Sequence, residues 1–427
     1  MGEQQQPTYG RTVIAGVIGN VLEWYDFALV GFLAPVIAPL FFPSENRLAA
    51  LLNTYGVFAL GFLMRPVGGV LFGHIGDRLG RKTALFWSVA LMAGPTTLVA
   101  FLPTYSQVGL AAPILLTLIR MMQGLSVGGE YIGSMSFLSE HAPPGRRGFL
   151  GSFCSFSAGL GNLLGSAVAA LLTLTLPEAE VRAWGWRLPF LGGLGVGLVG
   201  IWLRQGVEES PAFKASRAQE TSNDLPVFLA VRRDWRAILL TAGLAQMLGV
   251  GFYLPWVWLS TWVASINTPP LPLSSALLIN TVAMSVNTLL IPLGGWLSDR
   301  VGRTRVLTGA GLSVACLSYP LFLLLHRGEP ITTLEAQLAL ALLTALFYGP
   351  ASAAFVELFP TSTRFTGIAL GYNVTQAILG GTTPLVATYL IEVTHFTIAP
   401  AFYLMWAALC GSVCSFLMTD RTGQVLR

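Results

Sequence analysis

The chain has 427 residues, 54% of them apolar and only 10% charged, and its mean hydropathy is +0.67. A water-soluble domain carries about a quarter charged residues, so that class is excluded and a membrane protein is implied. The net charge of +4 does not point to nucleic acid, because the basic residues sit in short loops between apolar runs, as a membrane topology distributes them.

The first ten residues are polar, and the apolar run from Thr12 is too long for the core of a signal peptide, so the first span is expected to stay as a helix. Apolar stretches long enough to cross about 30 Å of hydrocarbon fall near 12–42, 49–72, 83–102, 109–138, 148–176 and 184–203. A polar stretch, 204–235, carries Glu208, Glu209, Lys214, Arg217, Glu220, Asp224, Arg232 and Arg233. Six more spans follow near 236–265, 274–297, 306–326, 333–356, 366–391 and 398–419. The expected organisation is a six-helix bundle over 1–203, a linker over 204–235 and a second six-helix bundle over 236–427. Placing both termini and the linker in the cytoplasm puts most of the 24 Arg and Lys residues on that side.

The cysteines at 154, 316, 410 and 414 lie within or at the ends of apolar segments and lack metal-ligand spacing. They read as small buried apolar residues rather than a disulfide framework or a zinc site.

Two internal echoes support the halving. Gly73-His74-Ile75-Gly76-Asp77-Arg78-Leu79-Gly80-Arg81-Lys82 returns 222 positions later as Gly295-Trp296-Leu297-Ser298-Asp299-Arg300-Val301-Gly302-Arg303-Thr304. Glu140-His141-Ala142-Pro143-Pro144-Gly145-Arg146-Arg147 returns as Glu357-Leu358-Phe359-Pro360-Thr361-Ser362-Thr363-Arg364, both reading E-x-x-P-x-x-x-R. Matched pairs in register mark internal repeats.

The first loop, G-x-x-x-D-R-x-G-R-K, resembles the signature of the major facilitator superfamily, and the likeness extends over essentially the whole chain. More narrowly, Glu23-Trp24-Tyr25-Asp26-Phe27, the run Phe62 to Gly69, the run Arg120 to Tyr131 and Trp184-Gly185-Trp186-Arg187-Leu188-Pro189-Phe190 are similar to the metabolite:proton symporter branch. The resemblance implies an all-α membrane protein of twelve transmembrane helices in two pseudo-symmetric six-helix bundles. It implies a proton-coupled symporter that imports a small organic solute, in the class of tri- and dicarboxylates, 2-oxoglutarate, shikimate, proline and betaines. The expected location is the bacterial inner membrane, with solute, protons and lipid as partners, a monomeric transport unit, and no cofactor or metal. Four scattered His residues and no nucleophile-plus-base constellation argue against an enzyme. An exporting antiporter is the alternative, disfavoured because residues 148–172 lack the proline of the antiporter motif.

Charges within a span cost roughly 2.5–3.5 kcal/mol each on insertion scales, which makes them functional candidates. Five are present, all in the first half: Glu23, Asp26, Arg65, Arg120 and Glu130. Counting 1.5 Å per residue puts Asp26 and Arg120 near mid-membrane, where they can meet. A carboxylate beside a guanidinium stays ionised, and one separated from it in a desolvated place takes up a proton. Asp26 is therefore the expected proton carrier and Arg120 its switch; the competing reading is a fixed structural ion pair. Glu23 and Glu130 are further coupling candidates, while Arg65, beside Pro66 and nearer the loop, suits gating.

By the resemblance, the loop motifs serve the rocking equilibrium: Asp77, Arg81, Glu140 and Arg147, with Asp299, Arg303, Glu357 and Arg364 as counterparts, hold the halves together on the cytoplasmic side. Solute ligands are expected near the midplane. Candidates are Arg120 and Tyr25 in the first half, and Gln246, Tyr253, Trp256, Asn280, Tyr348, Tyr372, Asn373 and Gln376 in the second. Aromatic rings could cage a quaternary ammonium, although Trp258 and Trp262 equally suit an interfacial belt. A lone mid-membrane guanidinium fits a zwitterion or monocarboxylate better than a tricarboxylate.

Overall fold

The computed structural model describes residues 9–44, 46–69, 71, 81–140, 142–205, 226–360 and 363–426. Among these, every long element is a helix. In chain order they are α1 (Tyr9–Phe32, continued by Ala34–Phe41), α2 (Arg47–Gly69), α3 (Arg81–Val99), α4 (Ala111–Glu140), α5 (Arg147–Thr175) and α6 (Leu188–Gln205). The second half supplies α7 (Trp235–Ser265), α8 (Leu273–Val301), α9 (Arg303–His326), α10 (Pro330–Leu358), α11 (Arg364–Thr394) and α12 (Pro400–Leu417). With no water in the hydrocarbon, each backbone must satisfy its own hydrogen bonds, and helices do so within one segment. The chain forms two six-helix bundles, and it crosses the membrane many times. Most of the linker lies outside the described residues.

The outside of the bundles is oily and the inside is not. Leu171, Leu289 and Phe416 are 62%, 72% and 75% exposed, while Asn20, Gln123, Asn162, Asn280, Asn287 and Gln376 are buried. That inversion is what lipid as the solvent selects. Cys154 is buried, but Cys316 is exposed on the outer surface of α9, which corrects the uniform burial expected of the cysteines.

Irregularities coincide with special residues. The two parts of α1 meet at a 64° bend beside Pro35, which supplies no N–H to the ladder. Within α7, Leu254–Trp258, which contains Pro255, winds as a π-helix, and within α11 so does Gln376–Gly380. Such bulges recur at functional sites because they turn side chains off the regular stripe.

The halves meet along α5 with α8 and α10, α2 with α11, α4 with α10 and α11, and α1 with α7. Between the halves, backbones approach closely at the loop-motif end of α5 and α8. A Cβ on Gly148 would press into the Gly295 carbonyl, and one on Gly295 into that of Gly148. Within the first half, Gly69 and Gly128 bring α2 against α4 in the same way; small residues permit such crossings.

Candidate functional site

Asp26 on α1 and Arg120 on α4 are both buried, 2% and 0% exposed, and they meet: Arg120 Nη1 donates to Asp26 Oδ2 at 3.2 Å. The same Nη1 donates to Gln123 Oε1 at 2.7 Å, Gln123 Nε2 donates to Thr96 Oγ1 at 2.8 Å, and Thr96 Oγ1 donates to the Met92 carbonyl at 2.8 Å. Gln123 follows Arg120 by three positions, so both lie on one face of α4. The guanidinium lies 4.7 Å from the Phe27 ring centre and 5.9 Å from that of Phe58, contacts that favour a desolvated cation. Arg120 Nε and Nη2 and Asp26 Oδ1 have no hydrogen-bond partner. One edge of the guanidinium thus holds the protein, and the other presents two parallel donors, the geometry that a carboxylate takes in bidentate fashion.

Around this pair the two halves interleave aromatic rings. Trp24 stacks on Tyr253 at 6.0 Å and meets Phe252 edge-on at 5.2 Å. Tyr253 packs edge-on against Phe58 and Phe62 at 5.9 and 5.2 Å. Tyr131 and Tyr372 stack across the seam at 5.1 Å. Trp24 Nε1 is buried without a partner, and the buried Tyr253 hydroxyl lies within reach of Arg65.

The expected solute ligands divide into two groups. Trp256 (Nε1), Gln246 (Oε1) and Gln376 (Oε1) keep polar atoms unpartnered inside the bundle, and Tyr253 keeps its hydroxyl beside Arg65. Others are committed to the protein. Asn373 Nδ2 donates to the Gly128 carbonyl at 2.7 Å, and Asn280 Nδ2 donates to Ser166 Oγ and the Trp256 carbonyl, both at 3.2 Å. The Tyr348 hydroxyl donates to the Gly251 carbonyl. Asn373 and Asn280 therefore tie one half to the other. Tyr25 does not join the central cluster: its hydroxyl donates to the Pro189 carbonyl at 3.0 Å, within the first half, because it neighbours Asp26 on a helix whose next residue points 100° away. Trp258 and Trp262 form no interfacial belt. Both are buried, their Nε1 atoms donating to Thr388 Oγ1 and the Thr397 carbonyl at 2.9 Å.

At the loop-motif end, ion pairs cross the seam. Asp299 accepts the Gly148 and Phe149 amides at 2.9 and 2.8 Å and pairs with Arg303 at 2.8 Å. Glu357 lies between Arg303 at 3.4 Å and Arg147 at 3.6 Å, and Arg364 pairs with Glu140 at 2.6 Å. Arg65 is not among these pairs as described: it is buried with its guanidinium 5.2 Å from the Phe62 ring centre, at the aromatic seam. Glu23 is buried on α1 in electrostatic reach of Tyr253 and Tyr372. Asp77 and the side chains of Arg81 and Glu130 lie outside the described residues.

Sequence reasoning missed the chain's last residues. Asp420 Oδ2 accepts from the Thr304 amide and hydroxyl at 3.1 and 2.8 Å, Thr422 Oγ1 accepts the Arg303 amide at 3.1 Å, and Arg147 Nη1 donates to the Gln424 carbonyl at 2.6 Å. An Asp-x-Thr cap was legible at 420–422, but not which helix it caps. Gln123 and Thr96 were also missed; only the three-residue spacing from Arg120 hinted at the first.

A sequence profile of the Major Facilitator Superfamily matches residues 16–383. The glycine betaine/proline/ectoine/pipecolic acid transporter OusA of Dickeya dadantii (strain 3937) is 33% identical over 430 residues, 98% of this chain and 84% of that protein. The proline/betaine transporter of Salmonella typhimurium is 32% identical over 98% of this chain and 85% of its own length. Among solved structures, a D-xylose-proton symporter superposes with a TM-score of 0.75 over 98% of this chain and all of that one, at 20% identity. The inward-open xylose transporter XylE from E. coli gives 0.72 over 98% of each chain, at 18% identity. At such identities the likeness concerns the fold.

Proposed function

From the premise that this chain belongs to the Major Facilitator Superfamily, we propose that it is a proton-coupled symporter importing a small zwitterion with a carboxylate and a quaternary or secondary ammonium, of the proline and betaine kind. It is a transporter and not an enzyme. The observation that carries the reading is the free edge of Arg120: two buried, unpartnered donors beside Asp26, under a roof of aromatic rings. The guanidinium edge suits the carboxylate, and the rings of Trp24 and Tyr253 suit the cationic end. The names of relatives that carry glycine betaine, proline and ectoine support the same class.

Coupling follows from the sharing of Arg120. A solute carboxylate on the free edge neutralises the guanidinium charge that stabilises Asp26, and a carboxylate deprived of that charge in a low-dielectric interior is favoured in its protonated form. Solute and proton are then carried together. The bodies that rock are residues 1–203 and 236–427, joined by 204–235, and the loop-motif end with both termini faces the cytoplasm of a bacterial inner membrane. There Asp299, Arg303, Glu357, Arg147, Arg364 and Glu140 form the gate. Glu23 and Glu130 are second-line coupling groups, and the transport unit is a monomer.

The test is uptake of radiolabelled glycine betaine and proline into proteoliposomes under an inward proton gradient. Asp26→Asn should abolish uphill accumulation while solute exchange at equilibrium persists. An Asp26→Asn protein that still concentrates solute would remove Asp26 from the coupling.

A further inference from the structure

Arg120 is not the only dry guanidinium at the seam. Arg65, on α2, is 1% exposed, and its Nε and Nη2 also have no hydrogen-bond partner. The two cations are linked by a pair of rings: Arg120 lies over Phe27, Phe27 meets Phe62 edge-to-face at 4.7 Å, and Arg65 lies over Phe62. Tyr253 packs on Phe62 from the other half, its buried hydroxyl within hydrogen-bonding reach of Arg65. The Arg120 carbonyl lies level with Gly61, 3.0 Å from where a Cβ would stand. Arg65 is four positions further along α2, about 6 Å nearer the loop-motif end.

A buried donor left without an acceptor forfeits its hydration with nothing in return. Two such donors on one side chain, facing a seam that opens during transport, are tolerable where an acceptor visits. We propose that Arg65 is a second carboxylate station: as the loop-motif end opens, the solute's carboxylate passes from Arg120 along the Phe27–Phe62 pair to Arg65, and leaves from there. The ring pair keeps the path free of competing hydrogen bonds, and Tyr253 lends a hydroxyl donor to the arriving carboxylate. This rests on the carboxylate-bearing solute and on the cytoplasmic orientation proposed above.

The experiment measures glycine betaine transport from each face, in right-side-out and inside-out membrane vesicles, for Arg65→Gln and Arg65→Lys. For Arg65→Gln, KM from the outer face should stay within about twofold, and KM from the cytoplasmic face should rise about tenfold, the loss of one charge-assisted contact. Arg65→Lys, which keeps the charge but not the fork, should raise only the cytoplasmic-face KM, by about threefold, and carries the test alone if Arg65→Gln does not insert. Equal changes on both faces, or none on either, would overturn the station and leave Arg65 as packing or gate. Arg120→Gln is the separate control. It should abolish glycine betaine binding from both faces, and if it does not, the solute reading itself fails whatever Arg65 does.

Discussion

Asp299 and Gly148 belong to opposite bundles, yet the Asp299 carboxylate accepts the Gly148 amide at 2.9 Å and, through its other oxygen, the Phe149 amide at 2.8 Å. A carboxylate from α8 thus caps the exposed N–H groups at the start of α5, where the helix dipole also favours negative charge. The cap exists only while this end is shut.

Asp299→Ala should therefore destabilise the shut arrangement rather than the bundles themselves. A lost cap costs about 1–2 kcal/mol, equivalent to a roughly 5–30-fold shift of a two-state equilibrium. Labelling of a cysteine placed in the seam, by an impermeant thiol reagent applied from the loop-motif face, should rise accordingly. Unchanged labelling would show that the cap does not bias the rocking.

The Gly148 and Gly295 backbones touch, so a methyl group there acts as a wedge. In Gly148→Ala the new Cβ would lie 2.5 Å from Ser298 Oγ and 2.6 Å from Arg303 Nη1, besides meeting the Gly295 carbonyl. Both helices must part, and the predicted outcome is constitutive opening of this end with loss of uphill accumulation. Gly309→Ala on α9, where a Cβ meets nothing within 4 Å, should leave transport intact and raise thermal stability slightly, since alanine is favoured over glycine in helices by about 0.5–1 kcal/mol. Equal transport by the two variants would count against the wedge.

The docking of the last residues depends on the charge of Asp420. Burial alone would raise its carboxyl, but hydrogen bonds from Thr422 and Thr304, side chain and backbone, outweigh burial and hold it below the ordinary carboxylate range. Gly302, at φ +107°, makes room for it: a Cβ there would stand 2.7 Å from Asp420 Oδ2. Because the docked value is depressed, the stabilisation is present above the undocked value of about 3.9. It is lost as pH falls through the docked one. Protection of the Arg303 and Thr304 amides against hydrogen exchange, taken relative to the intrinsic rate at each pH, should accordingly be high at neutral pH and fall only in acid, whereas Asp420→Asn should be less protected at neutral pH and show little acid dependence. Identical pH profiles for the two proteins would dismiss Asp420 as the tether.

The apolar runs at 274–297 and 398–419 became Leu273–Val301 and Pro400–Leu417, and the other spans moved by similarly few residues at most ends. This was legible because hydrocarbon imposes a local rule, about twenty apolar residues with self-satisfied backbone. The meeting of Asp26 and Arg120 was legible for the same reason: depth can be counted along each helix. The paired loops at 73 and 295 marked the halves because a repeat needs no geometry to be seen.

The rotation of each helix about its axis, and the neighbours it meets, came only with the tertiary structure. Composition alone offered Tyr25, Asn280 and Asn373 as equals of Tyr253. Packing turned Tyr25 to Pro189, spent Asn280 and Asn373 on bonds across the seam, and left Tyr253 over Phe58 and Phe62. The same packing buried Trp258 and Trp262, seated Gln123 behind Arg120 and folded Asp420 onto α9. A membrane helix carries its span in its own sequence, but with lipid as apolar as its side chains its facing is decided by close packing and hydrogen bonds to helices far away in the chain, so partners appear only when all twelve are in place.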